Sequence, residues 1–137
     1  MFEPAGRAAQ IVSLIRATVP DVIAVYGFGS IARGQATADS DVDLAVLAPA
    51  RLTPEARWAL QERLAETLRQ AVDLVDLRQA STVMASQVVT TGQLLFDADE
   101  AGRGAFEDLV YSAYARLNEE RRAILERVAA EGTVYGR

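Results

Sequence analysis

Apolar residues recur along this chain in two rhythms. Ala8, Ile11, Val12, Ile15 and Val19 follow the three-and-four spacing of an amphipathic helix. Pro20 ends it, because a proline ring cannot continue the helical hydrogen-bond ladder. Val22-Ile23-Ala24-Val25-Tyr26 is a β-branched and aromatic run between Pro20-Asp21 and Gly27, which reads as a buried strand. Asp41-Val42-Asp43-Leu44-Ala45-Val46-Leu47 reads as a second strand, with Val42, Leu44 and Val46 turned into a core. Thr53-Pro54-Glu55 is a helix start, with a capping hydroxyl and a proline at the first helical position. The helix that follows reaches about residue 70 and buries Leu60, Leu64 and Leu68. Trp58 is assigned to its core or flank rather than to a base-stacking platform.

Ala71–Leu77 is a third strand, Ser81 caps a helix to about Thr90, and Gly92 is its stop. Leu94-Leu95-Phe96 adds a final short strand. With a helix opening at Ser30, helices and strands alternate from end to end, an α/β order. Asp97-Ala98-Asp99-Glu100 and Gly102-Arg103-Gly104 look like a linker. Beyond them Phe106, Leu109, Val110, Ala113, Leu117, Ile124, Leu125 and Val128 repeat at helical spacing. Two readings of this last helix stand open: packing on the domain's own sheet, or an apolar stripe that exceeds what a small sheet can cover and so takes a partner. The division is therefore a core over residues 1–98 and a C-terminal helix over 99–137, one domain overall.

The chemistry concentrates in two places. Tyr26-Gly27-Phe28-Gly29-Ser30-Ile31-Ala32-Arg33-Gly34 is a glycine turn at the exit of the first strand. Glycines let backbone approach a ligand with no Cβ in the way. A helix beginning at Ser30 would present free N–H groups to phosphate, and Arg33 would add charge to the same anion. After ten intervening residues Ser30 is followed by Asp41 and Asp43, which share one strand face by the period of two. Side-by-side carboxylates repel unless a cation lies between them, and Mg²⁺ typically takes one or two carboxylates plus substrate phosphates. A third carboxylate should come from Val72-Asp73-Leu74-Val75-Asp76-Leu77. Asp73 and Asp76 are three apart and lie on opposite faces of a regular strand, so one can join the site. Asp73 is favoured as third ligand or general base, with Asp76 in reserve.

Composition narrows the chemistry. The 137 residues contain no Cys and no His, and all fourteen basic side chains are Arg. Thiol and imidazole catalysis are excluded, along with zinc sites built on those ligands. A net charge of −5 argues against direct nucleic-acid binding, which needs a basic footprint. Half the residues are hydrophobic, as a folded globule requires, yet no run is long enough to span a membrane. Met1-Phe2-Glu3-Pro4 does not open a signal peptide, so the expected compartment is the cytoplasm.

Gly29-Ser30, ten residues, then Asp41-x-Asp43 resembles the signature of the DNA polymerase β-like nucleotidyltransferase superfamily. The likeness runs over roughly residues 8–98. It includes Gln79-Ala80-Ser81-Thr82-Val83-Met84 and Gln87-Val88-Val89 after the third strand, and it is closest to the MntA-type antitoxins, minimal nucleotidyltransferases paired with HEPN toxins. It implies a mixed sheet flanked by helices and two divalent ions, Mg²⁺, held by Asp41, Asp43 and Asp73. It implies ATP bound by Gly29, Ser30 and Arg33, and catalysis by the three aspartates. It also implies a hetero-oligomer with a HEPN-type ribonuclease toxin, AMP being moved onto a tyrosine hydroxyl of that toxin. Inhibition by binding alone, and nucleotidyl transfer to a small molecule such as an aminoglycoside, are the alternatives.

Overall fold

The structure is a computed structural model that describes residues 4–31, 34 and 40–134. Its elements are α1 (Pro4–Thr18), β1 (Ala24–Phe28), β2 (Val42–Leu47), α2 (Pro54–Leu68), β3 (Val72–Asp76), α3 (Thr82–Thr91), β4 (Gln93–Asp97) and α4 (Glu100–Val134). The helix expected at Ser30 does not begin there. Gly29, Ser30 and Ile31 form a turn, and the Gly34 N–H donates to the Ile31 carbonyl at 3.1 Å. Gly29 opens this turn with a left-handed φ of +62°, a conformation that glycine adopts without penalty.

The four strands lie in the order β3-β2-β1-β4. β1 is antiparallel to β2 and β4, and β2 is parallel to β3. The parallel pair needs a crossover, and α2 supplies it. Both faces of the sheet are covered. Val25, Val42, Leu44, Val46 and Leu74 pack against Ile11 and Ile15 of α1 and Leu60, Leu64 and Leu68 of α2. Ala24, Tyr26, Ala45 and Leu47 pack on the other side against Ala85 and Val88 of α3 and Phe106 and Val110 of α4. Strand residues on both sides of β2 are thus apolar, as expected of a strand buried between two helical layers.

Local chemistry sets the boundaries. Thr53 Oγ1 accepts from the Ala56 N–H at 3.0 Å, and Ser81 Oγ accepts from the Met84 N–H at 3.1 Å, so both expected caps form. Gly92 ends α3, as expected. Its backbone is extended, and a Cβ there would overlap the Val88 carbonyl. The stretch that reads as a linker is a cap: the Asp99 carboxylate accepts from the Gly102 N–H at 3.0 Å, and both Gly102 and Gly104 lie inside α4. The outer edge of β3 is closed by α2. The Leu74 N–H donates to Gln61 Oε1 at 2.9 Å, and Arg57 Nη1 donates to the Leu74 carbonyl at 3.2 Å. Trp58, on the outer side of α2, is 56% exposed and belongs to the flank, not the core.

α4 has 35 residues, an axis of about 50 Å, whereas a five-residue strand spans roughly 17 Å. Its first third packs on the sheet through Phe106 and Val110. The same apolar stripe continues as Ile124, Leu125 and Val128, which are more than half exposed. The first part of the helix thus packs on the sheet, and the distal part of its stripe extends beyond what the sheet covers. None of the helices among the described residues is long and apolar enough to cross a membrane.

Candidate active site

One end of the sheet gathers the chemistry. β1 leaves the sheet there through Phe28 into Gly29-Ser30, β2 enters through Asp41-Val42-Asp43, and β3 enters through Val72-Asp73. Asp43 is in register with Phe28 on one side and with Asp73 on the other. Partners in register on neighbouring strands point to the same face, with backbones ~4.8 Å apart. Asp43 and Asp73 therefore stand side by side. Asp41 lies one residue before β2 begins, two before Asp43.

The environments differ along this row. Asp43 is half-buried, while Asp41 and Asp73 are exposed. Gly29 sits against Asp43: a Cβ built on Gly29 would overlap Oδ2 and lie 3.3 Å from Cγ. The turn thus needs glycine twice, for its left-handed φ and for the carboxylate beside it. Ser30 follows, half-buried, in the same turn. Arg33 lies outside the described residues.

Asp76 is elsewhere. It is buried on the α2 side of the sheet, where Oδ2 accepts from the Leu52 N–H at 2.8 Å and Oδ1 from the Arg78 N–H at 3.0 Å. These bonds tie the loop before α2 to the exit of β3, a structural duty at the far end of the strand. Arg78 adds a bond from Nε to the Ala48 carbonyl at 2.9 Å and lies over the Phe106 ring. The two candidate aspartates of β3 thus separate, Asp73 toward Asp43 and Asp76 into the packing.

Among the described residues no three acidic side chains converge tightly enough to hold an ion by themselves. Asp43 and Asp73 are aligned rather than closed into a cage. This arrangement suits Mg²⁺, whose six positions are filled in part by substrate phosphates and water. The donor set, carboxylate oxygens beside a glycine turn open to a ligand, fits a metal–triphosphate complex.

Sequence pattern alone missed one support of this row. The Val42 N–H donates to the Ala71 carbonyl at 2.8 Å, and Gln70 Nε2 donates to the Ser40 carbonyl at 2.8 Å. A glutamine after a helix carries no signal of such a contact. Nor does sequence pattern signal the network around Tyr26, whose hydroxyl donates to Glu107 Oε2 at 2.8 Å. Glu107 also accepts from Arg103 Nη1 at 3.0 Å, and Arg103 Nε binds Asp97 at 2.7 Å. Burial first, and the Glu107 carboxylate second, hold the Tyr26 phenol well above its ordinary pKa. The hydrogen bond to Asp97 likewise holds the Arg103 guanidinium charged. The network joins β1, β4 and α4 toward the Ala24 end of β1, where Asp97 pairs with Ala24, away from the glycine turn.

Comparison with known proteins agrees with this geometry. Residues 10–101 match the family model described as polymerase beta, nucleotidyltransferase. The chain is 42% identical over 121 residues to the protein adenylyltransferase MntA of Shewanella oneidensis, covering 88% of this chain and 86% of that one. A crystal structure of a toxin–antitoxin with AMP-PNP superposes with a TM-score of 0.80 at 41% identity, over 89% of this chain and 98% of that one. The MNT antitoxin in complex with a tri-AMPylated Shewanella oneidensis HEPN toxin superposes at 0.78 and 38% identity, over 93% and 99%. With the glycine turn, the paired aspartates and the fold all in place, the chain belongs to the polymerase beta nucleotidyltransferase family, in its branch of MntA-type protein adenylyltransferases.

Proposed function

We propose that this chain is the antitoxin of a HEPN/MNT pair and acts as a metal-dependent adenylyltransferase. It would transfer AMP from ATP to a tyrosine hydroxyl of its cognate HEPN ribonuclease toxin. The observation that carries the reading is the juxtaposition of Gly29, Asp43 and Asp73 at one end of the sheet, in a chain 42% identical to a protein adenylyltransferase.

The reaction exchanges one bond for another at the α-phosphorus. The acceptor oxygen bonds to phosphorus, the bond to the β-phosphate oxygen breaks, pyrophosphate leaves, and the acceptor proton passes to a base. Gly29 and Ser30 would receive the triphosphate on backbone N–H groups, the glycine leaving no Cβ in the way. Arg33, by its place in the motif, adds positive charge to that anion. Asp41 and Asp43 would hold two Mg²⁺ ions, with Asp73 completing the set. When bound, such ions lower the pKa of the acceptor hydroxyl and stabilise charge on the transferring phosphorus and leaving oxygens. Asp73, exposed beside Asp43, is placed to take the acceptor proton. No covalent enzyme intermediate is needed, as befits a chain without Cys or His.

The toxin would reach this site while seated on the distal stripe of α4, where Ile124, Leu125 and Val128 are exposed. Residues 1–98 then form the catalytic core, and the segment 99–137, which carries α4, is shared between core and partner, working in the cytoplasm. Labelled ATP, Mg²⁺ and the product of the adjacent gene test the proposal. Label should appear on that product and vanish with Asp43→Asn. Undiminished labelling by Asp41→Asn and Asp43→Asn would overturn the site. Equal inhibition of the toxin by both variants without ATP would show that binding alone silences it.

A further inference from the structure

We infer that Gln70 is a positioning residue for the aspartate pair, acting through the backbone that carries Asp41. The inference rests on the reading of Asp41 and Asp43 as the ion-holding groups.

Three features of the fold converge on this residue. α2 ends at Leu68, and Arg69 takes a left-handed conformation, φ 55° and ψ 40°, so that its N–H returns to the Ala65 carbonyl. The Gln70 N–H reaches the same carbonyl at 3.3 Å. The chain therefore turns through a short, well-bonded corner and starts β3 two residues later. The corner then holds the entry of β2 on both sides of Asp41. Gln70 Nε2 donates to the Ser40 carbonyl at 2.8 Å, and the Ala71 carbonyl accepts from the Val42 N–H at 2.8 Å. The peptide groups before and after Asp41 are each tied to one of two consecutive residues. Asp73 stands two residues beyond Ala71 on the same segment. One corner thus sets the relative position of all three carboxylates.

The contact is suited to this duty. Asp41 is exposed and precedes the regular part of β2, so strand pairing alone does not locate its N-terminal side. The Gln70 amide is neutral, so it fixes a carbonyl without bringing a charge beside groups that must bind cations. It is half-buried, which keeps water from competing for the bond. Residues that orient metal ligands through a hydrogen bond typically contribute about ten- to a hundredfold to metal affinity.

The test reads metal binding without turnover. Mn²⁺ binding to the full chain with AMP-PNP is followed by electron paramagnetic resonance for wild type, Gln70→Leu, Gln70→Asn, Gln79→Leu and Asp43→Asn. Gln79 is the control, because its amide makes a matching bond to the Leu52 carbonyl, 2.9 Å, away from the aspartates. Gln70→Leu should weaken Mn²⁺ about tenfold, and Gln79→Leu should leave it within twofold of wild type. Gln70→Asn keeps the amide but loses one methylene of reach; it should behave as Gln70→Leu does, and it carries the test if the leucine variant fails to fold. Retained Mn²⁺ affinity in the folded Gln70 variants, with loss in Asp43→Asn, would overturn the role of Gln70 alone. Equal affinity in wild type and Asp43→Asn would overturn the ion-holding assignment itself, and the positioning role with it.

Discussion

Gly29 and Asp43 compete for one volume: the α-hydrogen of the glycine faces the Asp43 carboxylate where any side chain would overlap Oδ2. The turn that is to receive phosphate and the carboxylate that is to hold cations are therefore built against each other. No side chain can be added at position 29 without displacing the Asp43 carboxylate.

Gly29→Ala should show this twice. The left-handed φ of +62° costs a non-glycine residue roughly 1–2 kcal/mol, and the methyl group pushes Asp43 aside. Thermal denaturation should register the first effect. AMP transfer should fall further than the lost stability explains, by about a hundredfold, because misplacing a catalytic group by about 1 Å has that cost. Transfer at the wild-type rate would break the link between turn and carboxylate.

The two aspartates of β3 should separate cleanly under mutation. Asp73→Asn removes an exposed charge beside Asp43, so stability should hold within about 0.5 kcal/mol while transfer is lost. Asp76→Ala removes the acceptor of the Leu52 and Arg78 N–H bonds from a buried position. It should cost about 2–3 kcal/mol in a urea titration yet leave transfer intact in the folded fraction. The reverse pattern would exchange their roles.

Tyr26 gives a pH signature. Its phenol is held above the ordinary value of about 10 in the folded chain. The unfolded chain therefore releases this proton first as pH rises, and unfolding is favoured. The contribution is fully present below pH 10 and is lost as pH climbs beyond it toward the raised folded value. Comparing wild type with Tyr26→Phe in denaturation at pH 8 to 11 isolates the effect. The wild-type advantage, about 2 kcal/mol for a bond to a carboxylate, should be constant up to pH 10 and shrink above it. A constant difference throughout would deny the link to Glu107.

The distal part of α4 should matter to the partner and not to the fold. Leu125→Glu and Ile124→Glu change residues 67% and 52% exposed. The isolated chain should unfold within about 0.5 kcal/mol of wild type. Affinity for the HEPN partner, measured by calorimetry, should weaken by about 2 kcal/mol if these are anchoring contacts. Unchanged affinity in both would remove this helix from the interface.

The residues differ in how far each could be read from the chain alone. Caps at Thr53 and Ser81 were legible because one hydroxyl and the next few N–H groups decide them. The core of α1 and α2 was legible because Ile11, Ile15, Leu60, Leu64 and Leu68 repeat at the helical period. The turn after β1 was only half legible: glycine announces freedom, but the left-handed φ it takes at Gly29 is a choice the fold makes. Asp99 looked like part of a linker because a helix cap and a loop use the same residue types.

By itself the sequence determined the four strands, the helices capped by Thr53 and Ser81 and the glycine turn, since these depend on neighbours along the chain and on the alternation of strand side chains. It also determined that Asp73 and Asp76 oppose each other. Which of them meets Asp43 was decided only by tertiary structure, through the parallel register that sets Asp43 beside Asp73 and buries Asp76 against the loop before α2. The overhang of α4 was decided the same way. A periodic stripe states that a face is apolar; only the size of the sheet beneath it determines where the covering stops.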